Sequence, residues 1–293
     1  MRVFMTGATG YIGAHVAREL KGHGHDVVGL ARNESASEKL LRAGIHPVMG
    51  GMEDSAVLRE MVRDADAVVH CGFSGGPRAP ELEGAALDVM LDAIRNDHEA
   101  FIYTSGIWVY GSRGDAVVGE DAPLAPTPIV AWRPSHERRV LGAAAHRLRT
   151  IVIRPALVYG DGGGIIGGMV EQARRGLIQV VGDGRNRWSC VRVDALAELY
   201  VLALERAERG SVYNASRGAA VPYVEIARAA ARAAGGDGTV EHITLEEARA
   251  TLGDFADALA IDLQVSSERA ARELGWEPHR PTILEELSAT TVV

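Results

Sequence analysis

Residues 6–13 read Thr-Gly-Ala-Thr-Gly-Tyr-Ile-Gly, and they join an apolar run of strand length to an amphipathic helical pattern. Glycines at 7, 10 and 13 permit three things that a side chain would block. These are a tight turn, close approach of a diphosphate to backbone N–H groups, and tight packing of the helix on the strand. A glycine triplet alone is a weak signal, but strand before and helix after make it specific for a dinucleotide loop. The other reading, a close-packed turn that binds nothing, stays open at this level.

The same alternation continues along the chain. Strand-length apolar runs at 2–6, 26–30, 46–49, 67–70, 100–104 and 150–154 are separated by helical patterns at 11–22, 35–43, 55–62, 81–96 and 132–146. That rhythm predicts successive βαβ units, hence an α/β fold with a parallel sheet covered on both faces. The segment 111–128, with Pro123, Pro126 and Pro128, reads as a loop over the carboxyl edge of that sheet. Beyond Arg154 the rhythm weakens. A helix near 169–175, a loop at 182–188, a helix at 194–208 and a strand at 211–214 follow, the last two returning to the main sheet. The expected division is a dinucleotide-binding domain over 1–160, with 188–215 returning to it, and a small substrate-covering lobe built from 161–187 and 216–293.

Apolar residues make up 47% of the 293 and charged residues 24%, the balance of an ordinary globular chain with material for a full core. A net charge of −8 and the absence of a basic stripe interleaved with aromatics argue against nucleic acid as a partner. No apolar stretch is long enough to span a membrane, and the N-terminus runs straight into a strand, so a cytoplasmic protein is expected. Cys71 and Cys190 lie far apart, and Cys71 sits in an apolar run. Two buried thiols are expected rather than a disulfide.

The end of the second strand, where an acidic residue would bond an NAD ribose, reads Gly29-Leu30-Ala31-Arg32-Asn33. Alanine stands where the acid is expected and arginine follows. A guanidinium there can pair with a 2′-phosphate and stack on adenine, which predicts NADP in preference to NAD. If Arg32 is only a solvated surface residue, NAD remains open.

Several further motifs occur in a fixed order: Phe101–Gly111 (F-I-Y-T-S-G-I-W-V-Y-G), Arg154–Gly160 (R-P-A-L-V-Y-G), Val191–Asp194 (V-R-V-D) and the ending L-G-W-E-P. Together with the glycine loop they make nearly the whole chain resemble the extended short-chain dehydrogenase/reductase family, also described as the NAD-dependent epimerase/dehydratase family. The resemblance implies a Rossmann-type doubly wound sheet of about seven parallel strands and a small C-terminal substrate lobe. It implies cofactor contacts from Thr6, Gly7, Thr9, Gly10, Tyr11, Ile12 and Gly13. To these it adds Arg32, the loop after the fourth strand at Cys71, Gly72 and Phe73, and Pro155 near the nicotinamide. Many relatives bond adenine through an aspartate after the third strand; Gly50-Gly51-Met52-Glu53 stands there, leaving the backbone of Met52 for that contact. Relatives commonly pair through two helices, so a homodimer is among the assemblies allowed.

The family's chemistry uses a tyrosine, a lysine four residues later on the same helix face, and a serine or threonine. Only Lys21 and Lys39 occur here, so the sequence contains no Tyr-x-x-x-Lys. By position, Trp132 matches the tyrosine and His136 the lysine, and Gly106 falls where the hydroxyl residue stands, with Ser105 beside it. Trp132 can donate one hydrogen bond but cannot titrate, whereas His136 can bond the ribose and titrates near neutrality. Tyr110 and Tyr159 are weaker candidates, as is a clamp from Arg185, Arg187 and Trp188. Three functions remain in play. The favoured one is an NADP-dependent oxidoreductase or epimerase-like enzyme acting on a small carbonyl or hydroxyl compound, with proton transfer through His136 or water. The others are a non-redox lyase, isomerase or cyclase on the same scaffold, and a non-catalytic NADP-sensing protein.

Overall fold

A computed structural model of the chain describes residues 1–94, 100–146 and 148–289. Seven strands form one sheet: β1 (Arg2–Thr6), β2 (Asp26–Ala31), β3 (His46–Met49), β4 (Ala67–His70), β5 (Ala100–Thr104), β6 (Arg149–Pro155) and β7 (Ser211–Ala215). Their spatial order is β3-β2-β1-β4-β5-β6-β7, and every neighbouring pair runs parallel. The chain winds outward from β1 to β3 and then returns to the other side of β1 with β4. The crevice for a ligand in such a sheet opens where the winding reverses, outside the carboxyl ends of β1 and β4.

Period-two alternation divides the strand side chains between two cores. On one face Val3, Met5, Val69, Ile102, Ile151 and Ile153 are buried under helices α1 (Tyr11–Gly22), α2 (Glu34–Arg42) and a later helix, Val193–Arg206. On the other face Phe4, Val28, Val68, Phe101, Tyr103 and Val152 meet α3 (Ser55–Arg63), α4 (Ala79–Ala93) and α5 (Arg133–Ala143). Burial on both faces is why these strands read as nearly continuous apolar runs. At roughly 25 cal/mol per Å² of apolar surface removed from water, such layers supply the main driving force for folding.

A third apolar cluster lies away from the sheet. It joins α6 (Gly164–Arg175), α7 (Val193–Arg206) being left to the sheet, with α8 (Tyr223–Ala233), the parallel pair Ile178–Val181 and Val240–Ile243, and Ile283 and Leu287. Trp188 and Tyr223 stack within it at 4.0 Å between ring centroids. The stretch 261–276, expected in the lobe, packs instead on the sheet core: Ile261, Leu263, Val265, Leu274 and Trp276 all join it. The Trp276 indole donates to Ala195 O at 2.9 Å, so its one polar atom is satisfied only there.

Three element boundaries differ from expectation for local reasons. The helix over α6 begins at Gly164 rather than 169, because Gly164, Gly167 and Gly168 mask the helical pattern. A Cβ at Gly167 would lie 1.9 Å from Gly162 O, so glycine is demanded by the packing. Helix α5 begins at Arg133, with Trp132 as its N-cap and Pro134 in the first turn, where a missing N–H costs nothing. The predicted loop 111–128 contains a two-residue strand, Val117–Val118, paired with Gln264–Val265. The helix expected over 81–96 runs from Ala79 to Ala93, ended by Ile94 in extended backbone, and Asn96 lies outside the described residues. Among the described residues no helix is long and apolar enough to cross a membrane.

Candidate dinucleotide and substrate site

The glycine loop leaves β1 with Gly7 at φ +72°, a conformation that L side chains rarely adopt. A Cβ on Gly7 would lie 2.5 Å from the carbonyl carbon and oxygen of Cys71, and one on Gly13 would lie 2.1 Å from Gly7 O. The loop is therefore clasped against both the start of α1 and the segment after β4. Gly10 N donates to Gly7 O at 2.9 Å, and Gly10 caps α1 without any side-chain bond to the first-turn N–H groups. Those donors face the crevice end of the helix, where the helix dipole favours an anion. Thr9 is half-buried and Gly10 exposed on this turn, while Tyr11 and Ile12 reach the wall of an adjoining cavity.

Thr6 ties the loops after β1 and β4 together. Its buried Oγ1 accepts from Gly72 N at 3.1 Å and lies 2.6 Å from His70 Nδ1. Burial pushes the His70 imidazole down to about 4 from an ordinary 6.5, so the ring is neutral in the native state at neutral pH. As pH falls from 6.5 towards 4, the unfolded chain takes up a proton that the native ring refuses, so stability declines. Below about 4 both states carry the proton and the loss levels off. The expected cost is on the order of 3 kcal/mol. Urea unfolding of the wild type and His70→Gln at pH 7 and pH 4.5 checks this: the substitution should flatten the decline, and parallel declines would remove His70 as its source.

The remaining expected cofactor residues surround this junction. Arg32 follows β2, is exposed, and makes no hydrogen bond or ion pair among the described residues; Asn33 next to it caps α2 by accepting from Ala36 N at 2.9 Å. Met52 abuts Gly72, since a Cβ there would lie 2.9 Å from Met52 Sδ. Cys71 is half-buried and uncrosslinked, as is the buried Cys190. Cys71 Sγ lies 3.2 Å from Thr104 Oγ1, which in turn is 2.7 Å from the Tyr200 hydroxyl. Burial pushes the Cys71 thiol up to about 11, keeping it uncharged.

A cavity of about 410 Å³ continues from Tyr11 and Ile12 towards the third apolar cluster. Pro155, Ser105 and Gly106 line its sheet side, Trp132 and Arg133 its rim, and Ile165 and Phe255 the opposite wall. Ser105 Oγ is buried without a hydrogen-bond partner among the described residues. Gly106 has an extended backbone, and the nearest atom to a Cβ there is 4.0 Å away, so packing does not require glycine at this position. Phe73 stacks parallel to Trp132, with ring centroids 6.5 Å apart. The Arg133 guanidinium lies 4.6 Å from the Trp132 ring and 5.9 Å from Phe73, and its Nη1 donates to Thr104 O at 2.8 Å.

Of the four residues expected to carry chemistry, the fold brings Trp132 and Ser105 to this cavity and leaves His136 and Tyr110 outside its wall. His136 is 5% exposed and turned to α4. Its Nδ1 stands 3.7 Å from Glu83 Oε1, a Cβ on Gly84 would lie 3.1 Å from its Nε2, and the Trp132 indole covers it edge-on at 4.8 Å. Burial works against the Glu83 charge, but His136, Arg133, His70 and a 2.6 Å bond from the Tyr103 hydroxyl outweigh it and hold this carboxyl below the usual range. The imidazole thus meets Glu83 as a charge neighbour only, its Nδ1 having no hydrogen-bond partner among the described residues. Tyr110 is fully buried, donates to Asn214 Oδ1 at 2.8 Å and accepts from Arg154.

The other candidates are also engaged in structure. The Tyr159 hydroxyl donates to Pro281 O at 2.6 Å, Arg187 pairs with Asp262 and Asp115, and Trp188 is stacked in the third cluster. Arg185 is exposed and, among the described residues, paired only with Asp183. Two features escaped the sequence reading. Arg133 beside Trp132 carries a legible signal, a cation next to an aromatic at a helix start. Glu137 and Arg154 form a buried two-pronged pair at 3.0 and 2.6 Å; nothing in their spacing signals it, because they meet only when α5 packs beside β6.

The strand order, the reversal beside β1 and the clasped glycine turn define a Rossmann-type nucleotide-binding protein. The profile of the NAD dependent epimerase/dehydratase family matches residues 3–216, and the chain belongs to that family. It is 32% identical to an uncharacterized protein of Schizosaccharomyces pombe over 99% of both chains. It is 26% identical to a decarboxylating sterol-4-alpha-carboxylate 3-dehydrogenase of Dictyostelium discoideum, over 75% of this chain and 73% of that one. In fold it is similar to a dTDP-glucose 4,6-dehydratase from Bacillus anthracis solved with NAD, at a TM-score of 0.83 and 20% identity, covering 99% of this chain and 95% of that one.

Proposed function

We propose that this chain is an NADP-dependent oxidoreductase acting on a small carbonyl or hydroxyl compound. The observation that carries the proposal is the bare glycine turn clasped between β1, α1 and the β4 loop, opening directly into an apolar cavity. Glycine at 7 and 13 is demanded by the packing that shapes the turn, and exposed Gly10 leaves the backbone bare where a diphosphate would approach the helix end. The residues present therefore fit a nicotinamide dinucleotide. Thr6, Gly7, Thr9, Gly10, Tyr11, Ile12 and Gly13 would hold its diphosphate side, Met52, Cys71, Gly72 and Phe73 would border its adenosine and ribose, and Pro155 would lie by the nicotinamide. When bound, the cofactor supplies reversible hydride exchange with carbon.

This chain's own residues bind, orient and exclude water. Arg32 would neutralise a 2′-phosphate on the adenosine ribose, and no acidic residue stands at Ala31 to favour the bare hydroxyl. The residues 161–187 and 216–260 would cover the substrate. Ser105, whose Oγ has no other partner, is the hydroxyl available to a substrate oxygen. His136 loses its place as proton donor in this reading, because its ring faces α4. The absence of a Tyr-x-x-x-Lys pair leaves proton transfer to Ser105 and solvent. The relatives whose names carry an activity include the dehydrogenase above and a 2-alkyl-3-oxoalkanoate reductase of Stenotrophomonas maltophilia, which favours redox chemistry over a binding role.

Calorimetric titration with NADP and NAD tests the cofactor reading. The wild type should bind NADP more tightly, and Arg32→Ala should weaken NADP by about tenfold or more while leaving NAD within about twofold, the difference of one charge-assisted contact. Tighter binding of NAD by the wild type overturns the NADP assignment. Turnover of a carbonyl panel, followed by absorbance of reduced nicotinamide, tests the redox reading; product without any absorbance change points to a non-redox reaction instead.

A further inference from the structure

Arg133 is the sole charged side chain among the described residues lining the 410 Å³ cavity. The rest of that wall is apolar or aromatic apart from the Tyr11 and Ser105 hydroxyls. One guanidinium donor, Nη1, is spent on Thr104 O. Nε and Nη2 have no protein acceptor, and no carboxylate lies within ion-pair distance of the group among the described residues. Glu83 acts on it only from farther away; its Oε1 is taken by the Tyr103 hydroxyl, and its buried Oε2 has no hydrogen-bond partner among the described residues. A permanent cation on an apolar wall is costly unless an anion meets it, and the planar fork of arginine matches a carboxylate with two parallel bonds.

The aromatic rings at the rim fix where that fork points. Trp132 and Phe73 lie parallel, both within 6 Å of the Arg133 guanidinium carbon, so the cation is held against their faces as well as by Thr104 O. Together these groups set one cation on a cavity whose other lining residues include Trp108, Ile165 and Phe255. A sugar nucleotide would bring a diphosphate and many hydroxyls to a wall that offers one cation and the Ser105 hydroxyl, that of Tyr11 being spent on Gly160 O at 2.7 Å. A compact apolar body with a single anionic group matches the charge and the wall chemistry of the part that a dinucleotide would leave open.

We propose that the cavity takes a small apolar carboxylate, a ring or short branched body bearing one carboxyl group, and that Arg133 is the residue that selects it. This rests on the reading of the cavity as the substrate site beside a bound dinucleotide. Arg133 acts here as a specificity-determining residue; it holds the carboxylate and moves no proton, since a guanidinium stays charged throughout the accessible pH range.

The test uses benzoate as probe and benzamide as its uncharged counterpart, titrated calorimetrically into the full-length protein with saturating NADP and again without nucleotide. Wild-type protein should bind benzoate at least about tenfold more tightly than benzamide, the worth of a charge-assisted pair. Arg133→Met should abolish that preference while leaving NADP affinity within about twofold, and Arg133→Lys should keep part of it, because a point charge lacks the fork. Equal affinity for the two probes, or no benzoate binding, overturns the proposal. So does an Arg133→Met protein that loses NADP affinity tenfold, since Arg133 would then serve the nucleotide. Because the nucleotide-free titration reads Arg133 on its own, a failure of NADP binding with the benzoate preference intact counts against the cofactor reading and not against this one.

Discussion

Gly7→Ala should weaken dinucleotide binding by a hundredfold or more in Kd, about 3 kcal/mol. Two costs combine at this position. The backbone sits at φ +72°, which disfavours any L side chain by roughly 1–2 kcal/mol. The new methyl group would also lie 2.5 Å from the Cys71 carbonyl, backbone that cannot swing aside as a side chain can. The glycine turn and the β4 loop must then part, and the N–H groups that would receive a diphosphate move with them. Gly10→Ala separates the causes: its Cβ would be 3.2 Å from Gly7 O, a tight contact rather than a collision, so the free protein should lose less stability, while the methyl on the exposed face should still weaken dinucleotide binding. Calorimetry with NADP, together with thermal unfolding of the free protein, reads both costs. Unchanged affinity in the Gly7 variant would show that the turn does not hold the diphosphate.

Arg154→Met should destabilise the protein by about 3–5 kcal/mol, because it strands the Glu137 carboxylate in a site from which water is excluded. Arg154 and Glu137 are 4% and 1% exposed, and the arginine also bonds the Tyr110 hydroxyl and Glu120 O. Burial alone would favour a neutral Arg154, yet the bonds to Glu137 and Tyr110 outweigh it and raise its affinity for the proton. The double variant Arg154→Met, Glu137→Leu should recover much of the loss, since replacing both members of a buried pair with apolar groups of similar size is often near neutral. Urea unfolding of the two variants decides it. If the single and double variants lose the same stability, the cost lies in the packing of α5 on β6 rather than in the stranded charge.

How far each element could be read from the sequence follows from how locally it is determined. Strands β1, β3, β4 and β5 lie where their runs predicted; in β1, β4 and β5 burial on both faces writes hydrophobicity into successive residues, whereas β3 is a half-exposed edge strand. Helix α1 was equally legible from the glycine turn before it and the amphipathic pattern after it. Helix α6 was not, since its glycines serve close packing against Gly162 and Tyr11 at the expense of helical propensity. The match of Trp132 and His136 to an active-site pair rested on spacing alone. Spacing sets which residues share a helix face, but not which face meets the cavity and which meets the carboxylate of Glu83.

From the order of its residues alone this chain determined a doubly wound parallel sheet, a bare turn at its first strand–helix junction, an arginine after the second strand and the loss of a tyrosine–lysine pair. Each of these depends on neighbours in sequence, on strand or helix period, or on a residue type simply being absent. The tertiary structure decided which side chains share the cavity. Arg133 and Ser105 come to its wall, His136 turns to α4, and Trp276 folds back from the tail to the sheet core. Arg133 and Trp276 find their acceptors, Thr104 O and Ala195 O, across long sequence separations, and Ser105 and His136 are placed by how β5 and α5 pack, so each outcome exists only once the layers have come together.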